Sequence, residues 1–332
     1  MGNLFPVLDR NRLKIGELAD RRHLLTVDCI LPTNKASEVT PDLAFIGRRL
    51  LEARERKAAR VFMLGAHVIR SGVQRYIIDL MTRGCISCLA LNGAGVIHDF
   101  EFAMIGATTE SVKTYIEDGR FGMWRELEKL NTVVTDAASV GMGLGEAVGR
   151  EISNGDYPHQ DISLLAAAYR LGILATVHVG IGYDIVHQLP NCDGGAYGAT
   201  SYTDFLRFAQ GLTRLSRGVL MCFGSAVMGP EVYLKALSMA RNIARQEGRT
   251  VADFDTLVCD LANLPGSLQI APDIQTAHYY FRPWKTILLR TVEGEGKGHY
   301  VRGLHAETIP KLWTATLEPQ KVLGPETEKG TA

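Results

Sequence analysis

Short apolar runs alternate with amphipathic helical patterns through most of this sequence. The segment 41–59 carries its apolar residues at helical spacing, begins with Pro41 after Thr40, and leads into the apolar run 61–65, VFMLG. A chain that repeats this unit buries each run in a parallel sheet and covers the sheet with helices. The pattern predicts an α/β fold: a three-layer, doubly wound, mostly parallel sheet with helices on both faces.

The same pattern locates the other elements. Helices are predicted at 71–82, 161–171, 202–215, 231–246 and 306–317, and strands at 86–91, 173–178, 219–223, 256–259 and 286–289. The stretches 118–158 and 263–283 have little periodicity and are predicted to be irregular excursions near a site or an interface. No linker-like composition divides the chain, so we predict one domain at 36–319, with an N-terminal arm at 1–35 and a C-terminal tail at 320–332.

Charge and cysteine content narrow the classes of function. The 36 basic residues balance the 36 acidic residues, which argues against nucleic acid and anionic membranes as partners and favours small molecules. The start of the chain has no signal-peptide pattern, and no window reaches the length of an apolar membrane helix. The six cysteines are scattered as in reduced proteins, so a cytoplasmic protein is predicted.

Metal and standard dinucleotide motifs are missing from the sequence. Cys85 and Cys88 lie three apart in a predicted strand and face opposite sides, so they are predicted to be buried apolar residues and no metal site is expected. The glycine run 141–149 fits no register of G-x-G-x-x-G. It is predicted to be a helix-packing or turn segment.

Two other glycine turns follow predicted strands and precede predicted helices. They are Gly65 to Arg70 and Asn92 to Gly95. Parallel sheets bind ligands at this end of their strands, where small residues let a backbone approach a phosphate or ribose. An ordinary tight turn is the alternative for each, and the presence of two favours a binding site.

Several polar residues near later strand ends are candidates for substrate contacts. Asp184 and His187 share a face if a helix begins near Tyr183; a capping Asp184 and a surface His187 are the alternative. Glu231 follows a fourth strand–glycine turn, and Arg282 has a guanidinium suited to a carboxylate or phosphate. A structural role for an exposed arginine is the alternative reading of Arg282.

From about Pro41 to Leu317 the chain resembles the deoxyhypusine synthase family, including its bacterial branch of deoxyhypusine-synthase-like proteins. The matching stretches begin at FMLGAHVIRSG, ISLLAAAYRLG, MCFGSAVMGPE and HAETIPKLW. The resemblance implies a homotetramer of single doubly wound domains with NAD bound at dimer interfaces. By position it implies cofactor contacts at Gly65, Ala66, His67, Val68, Ile69, Asn92, Gly93, Ala94, Asp260, Leu304 and His305.

The chain departs from that family where the family binds its polyamine. Ile97 and His98 stand in place of an acidic pair, with Asp99 beyond them, and Asp184 retains an acidic position. A pocket that lacks carboxylates no longer compensates several buried ammonium groups. We therefore expect His98, Asp99, Asp184 and His187 to form the catalytic group, with a histidine transferring the proton and Asp184 orienting the substrate.

The family's nucleophilic lysine is also displaced, because its position falls near Thr291. NAD-dependent hydride transfer on a small amine or amino-acid-like substrate is the favoured function. The alternatives are aminobutyl transfer from a polyamine, of the deoxyhypusine or homospermidine synthase type with a displaced lysine, and an NAD-binding protein without catalysis. In each case the expected partners are a small molecule and further copies of the chain.

Overall fold

The computed structural model describes residues 4–292 and 296–317 and has an α/β architecture built on a six-stranded parallel sheet. The sheet strands are β2 (Arg60–Leu64), β3 (Cys88–Asn92), β5 (Leu174–His178), β6 (Val219–Phe223), β7 (Asp255–Asp260) and β8 (Gly298–Arg302). Two further strands, β1 (Leu25–Thr26) and β4 (Ala107–Thr108), form a separate antiparallel pair.

The strands lie in the order β5-β3-β2-β6-β7-β8. The chain builds outward from β2 through β3 to β5, returns to the other side of β2, and builds outward again through β6, β7 and β8. Numbered along the chain within the sheet, this is the order 3-2-1-4-5-6 of the doubly wound dinucleotide-binding folds. Because the strand order reverses between β2 and β6, the segments that follow these two strands run to opposite sides. This leaves a crevice above the ends of β2 and β6.

Helices cover both faces of the sheet. They are α1 (Pro41–Glu55), α2 (Ala66–Arg70), α3 (Gln74–Thr82), α4 (Gly93–Ile105), α5 (Val112–Ile116), α6 (Glu128–Ser139), α7 (Leu144–Asn154), α8 (Leu164–Arg170), α9 (Gly194–Leu212), α10 (Met228–Gln246) and α11 (His305–Leu317). Alternate residues of each strand point to opposite faces. In β2, Phe62 and Leu64 join the larger core beneath α1, α3, α8 and α11, while Val61 and Met63 join the smaller core beneath α9 and α10.

The strands predicted at 61–65, 86–91, 173–178, 219–223 and 256–259 are present with bounds shifted by two residues or fewer. The strand predicted at 286–289 is wrong, because Trp284–Arg290 is a π-helical segment. A short, fully apolar run has no period that separates a buried strand from a buried helix. The edge strand is instead Gly298–Arg302.

The prediction of an irregular excursion at 118–158 is also wrong, since α6 and α7 lie within it. The glycine run, predicted to be a helix-packing or turn segment, begins in the turn before α7 and continues into its first turns. A Cβ on Gly145 would stand 2.3 Å from the carbonyl oxygen of Ala175, and one on Gly149 would stand 2.5 Å from that of Leu165. These glycines allow α7 to approach β5 and α8 closely.

The residues of the predicted N-terminal arm run along the body of the domain. The backbone amide of Val27 donates to Gly106 at 2.8 Å, and that of Leu31 donates to Gly72 at 2.8 Å. Leu18 and Arg21 are buried, with relative exposures of 2% and 4%. The predicted tail at 320–332 lies outside the described residues.

None of the helices in the described residues has the length and hydropathy needed to cross a membrane. Cys85 and Cys88 are both buried free thiols, as the sequence predicted.

A buried carboxylate joins α7, α9 and β5. Asp204 is fully buried and accepts hydrogen bonds from the backbone amides of Gly145 and Val177, both at 2.8 Å. Desolvation raises its pKa from 3.8 to about 7. Between these values the folded protein holds a proton that the unfolded chain has released, so its stability falls as pH rises.

We expect the unfolding free energy of Asp204→Asn to fall less, or rise more, between about pH 4 and about pH 7 than that of the unmodified protein. Other buried groups set the rest of the slope: burial raises the pKa of Asp99 and Asp184 to about 6 and lowers the pKa of His98 and His178 to about 4, and these two kinds of shift act in opposite directions. Urea denaturation at several pH values measures the effect. The exposed Asp136→Asn is the control, and a slope of equal size in the Asp204 and Asp136 variants contradicts the assignment.

Candidate functional site

A cleft follows the carboxyl ends of the parallel strands and contains three cavities that share lining residues. The central cavity has a volume of about 540 Å³, the second about 560 Å³ and the third about 220 Å³. His67 and Gly224 line both the central and the second cavity, and Ala94, Tyr183 and Asp184 line both the central and the third. The three cavities therefore lie next to one another along the cleft.

The central cavity lies over the reversal of the sheet. Its floor includes Gly65, Ala66 and His67 after β2, Asn92, Gly93 and Ala94 after β3, and residues 224–228 after β6. A Cβ on Gly65 would stand 2.1 Å from the carbonyl oxygen of Gly224. Only glycine permits this approach, which brings the two strand ends together at the switch point where open α/β sheets bind ligands.

The second cavity lies on the β7 and β8 side of the cleft. Asp260, Leu304 and His305 line it, together with His67. The Asp260 carboxylate accepts from the backbone amide of Leu261 at 2.7 Å. The structure thus brings the later group of predicted cofactor residues to the far side of the same cleft.

Two predicted cofactor contacts lie below the cleft floor. Val68 and Ile69 have no exposed surface and belong to the larger core. They share the turn of Gly65 to Arg70 with residues that do line the cleft. Their side chains fix the position of α2.

The third cavity is small and combines apolar walls with charged groups. Ile97, Val112, Phe121 and Ile185 supply apolar surface. The polar residues that line it are Arg21, Arg70, His98, Glu101, Thr109, Glu110, Tyr183 and Asp184. Two of the four predicted catalytic residues, His98 and Asp184, therefore face the same space.

His98 is held by a chain of buried side chains. Arg21 pairs with Glu101, with 1% and 2% of the two side chains exposed; Thr108 Oγ1 donates to the other oxygen of Glu101. The distance from Thr108 Oγ1 to His98 Nδ1 is 2.7 Å. Because the Thr108 proton is used on Glu101, Nδ1 must carry the proton of this bond, which leaves the Nε2 lone pair free.

The ionisation of His98 follows from its burial. Desolvation lowers its pKa to about 4, so the imidazole is neutral at neutral pH. A neutral ring with an unprotonated Nε2 on a cavity wall can accept a proton. Because the ring carries no additional proton at neutral pH, it cannot act as a general acid. Of the proton-transfer roles expected from the sequence, only that of acceptor remains.

Asp184 lies at the junction of the central and third cavities. The backbone amide of Ala94 donates to its carboxylate, and a Cβ on Gly93 would stand 2.0 Å from Oδ2. The carboxylate therefore packs against the first turn of α4. Desolvation raises its pKa to about 6, so it is mainly ionised at neutral pH.

His187 positions the turn that carries Asp184. Its Nδ1 accepts from the backbone amides of Gly182 at 3.2 Å and Asp184 at 3.3 Å, and its ring packs edge-on against Tyr197 at 4.7 Å. It lines none of the three cavities. A short 3₁₀ turn, Ile185–Gln188, replaces the helix that would have placed it beside Asp184.

Asp99 points away from the cleft. Its carboxylate accepts from Ser163 Oγ at 2.6 Å and from the backbone amides of Leu164 and Leu165 at 2.7 and 3.1 Å. All of these partners lie at the start of α8. These hydrogen bonds join α4, which carries Asp99, to the start of α8.

Glu231 and Arg282 form an ion pair with each other, and Glu231 also contacts Lys235. Neither residue lines the three cavities of the cleft. Their role as substrate contacts stays a prediction. The ion pair instead connects the first turns of α10 to the segment before Trp284–Arg290.

Some groups in the third cavity could not be found from sequence patterns. Arg21 lies in the segment predicted to be peripheral, and Glu101 lies 80 residues away from it along the chain. Tyr183, at the mouth of the cavity, is 86% exposed. No group of histidine, cysteine or acidic side chains in the described part of the chain has the arrangement of a metal site.

Comparison with known proteins gives structural similarity alone. No family model and no curated protein matches the chain. Among solved structures it is similar to apo ArgZ, a cyanobacterial arginine dihydrolase, with 12% identity, a TM-score of 0.48, and coverage of 83% of this chain and 32% of that chain. It is also similar to a ternary complex of AgrE with ornithine and NAD⁺, with 14% identity, a TM-score of 0.45, and coverage of 82% and 32%.

A further match is a conserved LOR/SDH protein from Methanococcus maripaludis S2, with 13% identity, a TM-score of 0.46, and coverage of 86% of this chain and 73% of that chain. The chain spans about a third of the length of ArgZ and AgrE, since it covers 32% of each. Identities at this level concern the fold.

These matches correct the family named from the sequence. The chain is similar in structure to ArgZ, AgrE and an LOR/SDH protein, so the assignment to the deoxyhypusine synthase family is wrong. The stretches that carried the resemblance are mostly strand–glycine–helix turns. A sheet with this strand order uses such turns whatever its family.

The buried pair between Arg21 and Glu101 should make a large contribution to stability. We expect Arg21→Met to lower the unfolding free energy by about 3 kcal/mol, because it leaves a buried carboxylate without its cation. Arg125→Met is the matched control: it removes a pair with Glu17 whose side chains are 55% and 56% exposed. Chemical denaturation should give about 1 kcal/mol or less for the control, and equal losses in the two variants contradict the analysis.

The hydrogen-bond chain also fixes which nitrogen of His98 is protonated. We expect ¹⁵N NMR to find a neutral ring with Nδ1 protonated from neutral pH down to about pH 5, because its pKa is about 4. Thr108→Val should release this preference and Thr108→Ser should restore it. A ring that is mainly protonated at Nε2 in the unmodified protein disproves the assignment.

Proposed function

We propose that the protein is an NAD-dependent enzyme that transfers a hydride to or from a small amine or amino-acid-like substrate. The observation that carries the proposal is the junction at Asp184. There an elongated cleft at the sheet's switch point adjoins a small cavity whose wall carries the Asp184 carboxylate and a neutral histidine. This arrangement places a cofactor-sized space beside a substrate-sized space.

The shape of the cleft supports a dinucleotide. The central and second cavities, about 540 and 560 Å³, meet at His67 and Gly224, so an elongated ligand with two bulky ends can extend across the sheet. The helices α4 and α10 begin at the cleft, where their dipoles favour negative charge; in the first turn of α4 the amides of Ala94 and Gly95 already donate to Asp184 and Asn92. The predicted contacts at Gly65, His67 and Asn92 line the central cavity, and Asp260 lines the second.

The residues at the junction support chemistry on an amine. NAD, when bound, supplies the acceptor for a hydride leaving the carbon next to the amine nitrogen. The Asp184 carboxylate can orient the amine at neutral pH. The unprotonated Nε2 of His98 is the predicted acceptor for the proton that leaves the nitrogen, so that one hydride and one proton are removed; with a pKa of about 4 it acts there as a weak base.

One structural neighbour agrees with this function. AgrE was solved with ornithine and NAD⁺, a nicotinamide cofactor and an amino acid. Because the identity is only 14%, the binding of NAD⁺ and an amino acid by our chain is part of the proposal. A cytoplasmic location and assembly into a homotetramer stay predictions.

We expect NADH to bind the purified protein, with a rise in its fluorescence and in the melting temperature of the protein. Ala226→Trp should weaken binding at least about tenfold, because exposed Ala226 lines the central cavity and the indole fills that space. Ala199→Trp is the control, since Ala199 is an exposed alanine of α9 outside the cleft.

Turnover is tested by NADH formation from NAD⁺ with the common amino acids and simple amines. Failure of the unmodified protein to bind either form of the cofactor removes the proposed function. Cofactor binding without turnover of any amine or amino acid leaves a binding protein and contradicts the enzymatic part.

A further inference from the structure

The carboxylate of Asp260, at the end of β7, is held by the protein through one oxygen. Its Oδ1 accepts from the backbone amides of Leu261 at 2.7 Å and Ala262 at 3.2 Å. Within the described ranges the carboxylate has no ion pair, and its Oδ2 has no hydrogen-bond partner and is not a buried atom. The two amides fix the direction of the carboxylate, and Oδ2 is left to accept from a ligand in the second cavity.

Among the described residues, the charged side chains that line the second cavity are Asp260 and Arg70. Arg70 also lines the third cavity, and its Nη1 contacts Nε2 of His67, which lines the central cavity. It therefore lies where the second cavity adjoins the other two, whereas Asp260 lines neither of them. Arg302 is opposite Asp260 in the register of β7 and β8, but it donates to the carbonyl oxygen of Leu261 at 3.1 Å and does not line the cavity. The part of the second cavity away from the other two is thus acidic.

A second carboxylate determines which end of a dinucleotide extends toward Asp260. Asp184 accepts from the amide of Ala94 in the first turn of α4, and the proposed function needs the nicotinamide beside it. The diphosphate of the cofactor is repelled by this carboxylate, and the amide of Ala94 is already used. The diphosphate and the adenosine half therefore extend the other way, past His67 and Gly224 into the second cavity.

The position that doubly wound folds ordinarily use for the ribose is not acidic in this chain. In those folds an acidic residue about 20 residues beyond the first glycine turn binds a ribose hydroxyl. From Gly65 that distance leads to β3, which has no acidic residue and ends at Asn92. The Oδ1 of Asn92 already accepts from the amide of Gly95 at 3.1 Å, as the cap of α4. Asp260 supplies the missing carboxylate from the other side of the cleft.

We propose that Asp260 binds the 2′- and 3′-hydroxyls of the adenosine ribose and thereby selects NAD over NADP. Its Oδ2 accepts from the hydroxyls of NAD, whereas NADP carries at this ribose a phosphate with about two negative charges at neutral pH. The like charges repel, and the carboxylate cannot turn away because two backbone amides hold it. This inference rests on the proposed function, since it concerns the ribose of the same cofactor.

The test compares the affinities of NADH and NADPH for the full chain by fluorescence titration. The unmodified protein should bind NADH at least about tenfold more tightly than NADPH. Asp260→Asn keeps an oxygen for the two amides and removes the charge, so it should weaken NADH, strengthen NADPH and reduce the preference at least about tenfold. Asp136→Asn, on the exposed side of α6, is the control and should change neither affinity.

Two results overturn the inference while leaving nicotinamide-dependent hydride transfer in place. One is equal or tighter binding of NADPH by the unmodified protein. The other is a ratio of the two affinities that Asp260→Asn leaves unchanged; equal weakening of both cofactors assigns the carboxylate to the nicotinamide ribose, which NADH and NADPH share. Failure of the unmodified protein to bind either cofactor removes the proposed function and the inference together.

A second variant changes the charge of the same cavity without altering Asp260, and it decides the matter if Asp260→Asn does not fold. Leu304 lines the second cavity and is 55% exposed, so Leu304→Arg should be tolerated by the fold and place a guanidinium near the ribose. It should strengthen NADPH relative to NADH at least about tenfold. Leu206→Arg, on α9 and outside the three cavities, is the control. A shift of equal size in the two variants contradicts a ribose site in the second cavity.

Discussion

The contact between Gly65 and Gly224 is the constraint on which the cleft depends. The strands β2 and β6 are neighbours in the sheet, yet the chain leaves them toward opposite sides. The amide of Gly65 donates to Phe223 at 3.0 Å, and the missing side chain of Gly65 lets the two turns pass in contact. A larger residue would push the turns apart and change the floor of the central cavity that both of them line.

The third cavity depends on a different kind of interaction. Its polar wall is a continuous set of buried hydrogen bonds from Arg21 through Glu101 and Thr108 to His98. Such a network is favourable only when each member is satisfied. It also fixes the ring of His98 in one tautomer. The same hydrogen bonds therefore stabilise the fold and decide which nitrogen of a candidate proton acceptor is protonated.

The parts of the fold that follow local rules were predictable. Five strands and the glycine turns at Gly65 and Gly93 were located from apolar runs that end in small residues. The helix α7 was missed because Gly145 and Gly149 hide its period while serving close packing against β5 and α8. The segment Trp284–Arg290 was misassigned because an apolar run of that length has no distinguishing period.

The site was predictable to a lesser extent. Asp184 and His98 follow strand ends in the sequence, so their approach to one space follows from the geometry of parallel sheets. Asp99 was indistinguishable from them in sequence, and only its three hydrogen bonds to the start of α8 separate it. Arg21 was missed because its partner Glu101 lies 80 residues away, and no local pattern records a contact of that range.

The position of Arg21 has a consequence for how far the chain can be shortened from its N-terminus. A chain that begins after Arg21 would keep every strand of the six-stranded sheet, which starts at Arg60. It would also leave the buried carboxylate of Glu101 without its cation and open the wall around His98 to water. The N-terminal segment is therefore part of the candidate site although it lies outside the sheet.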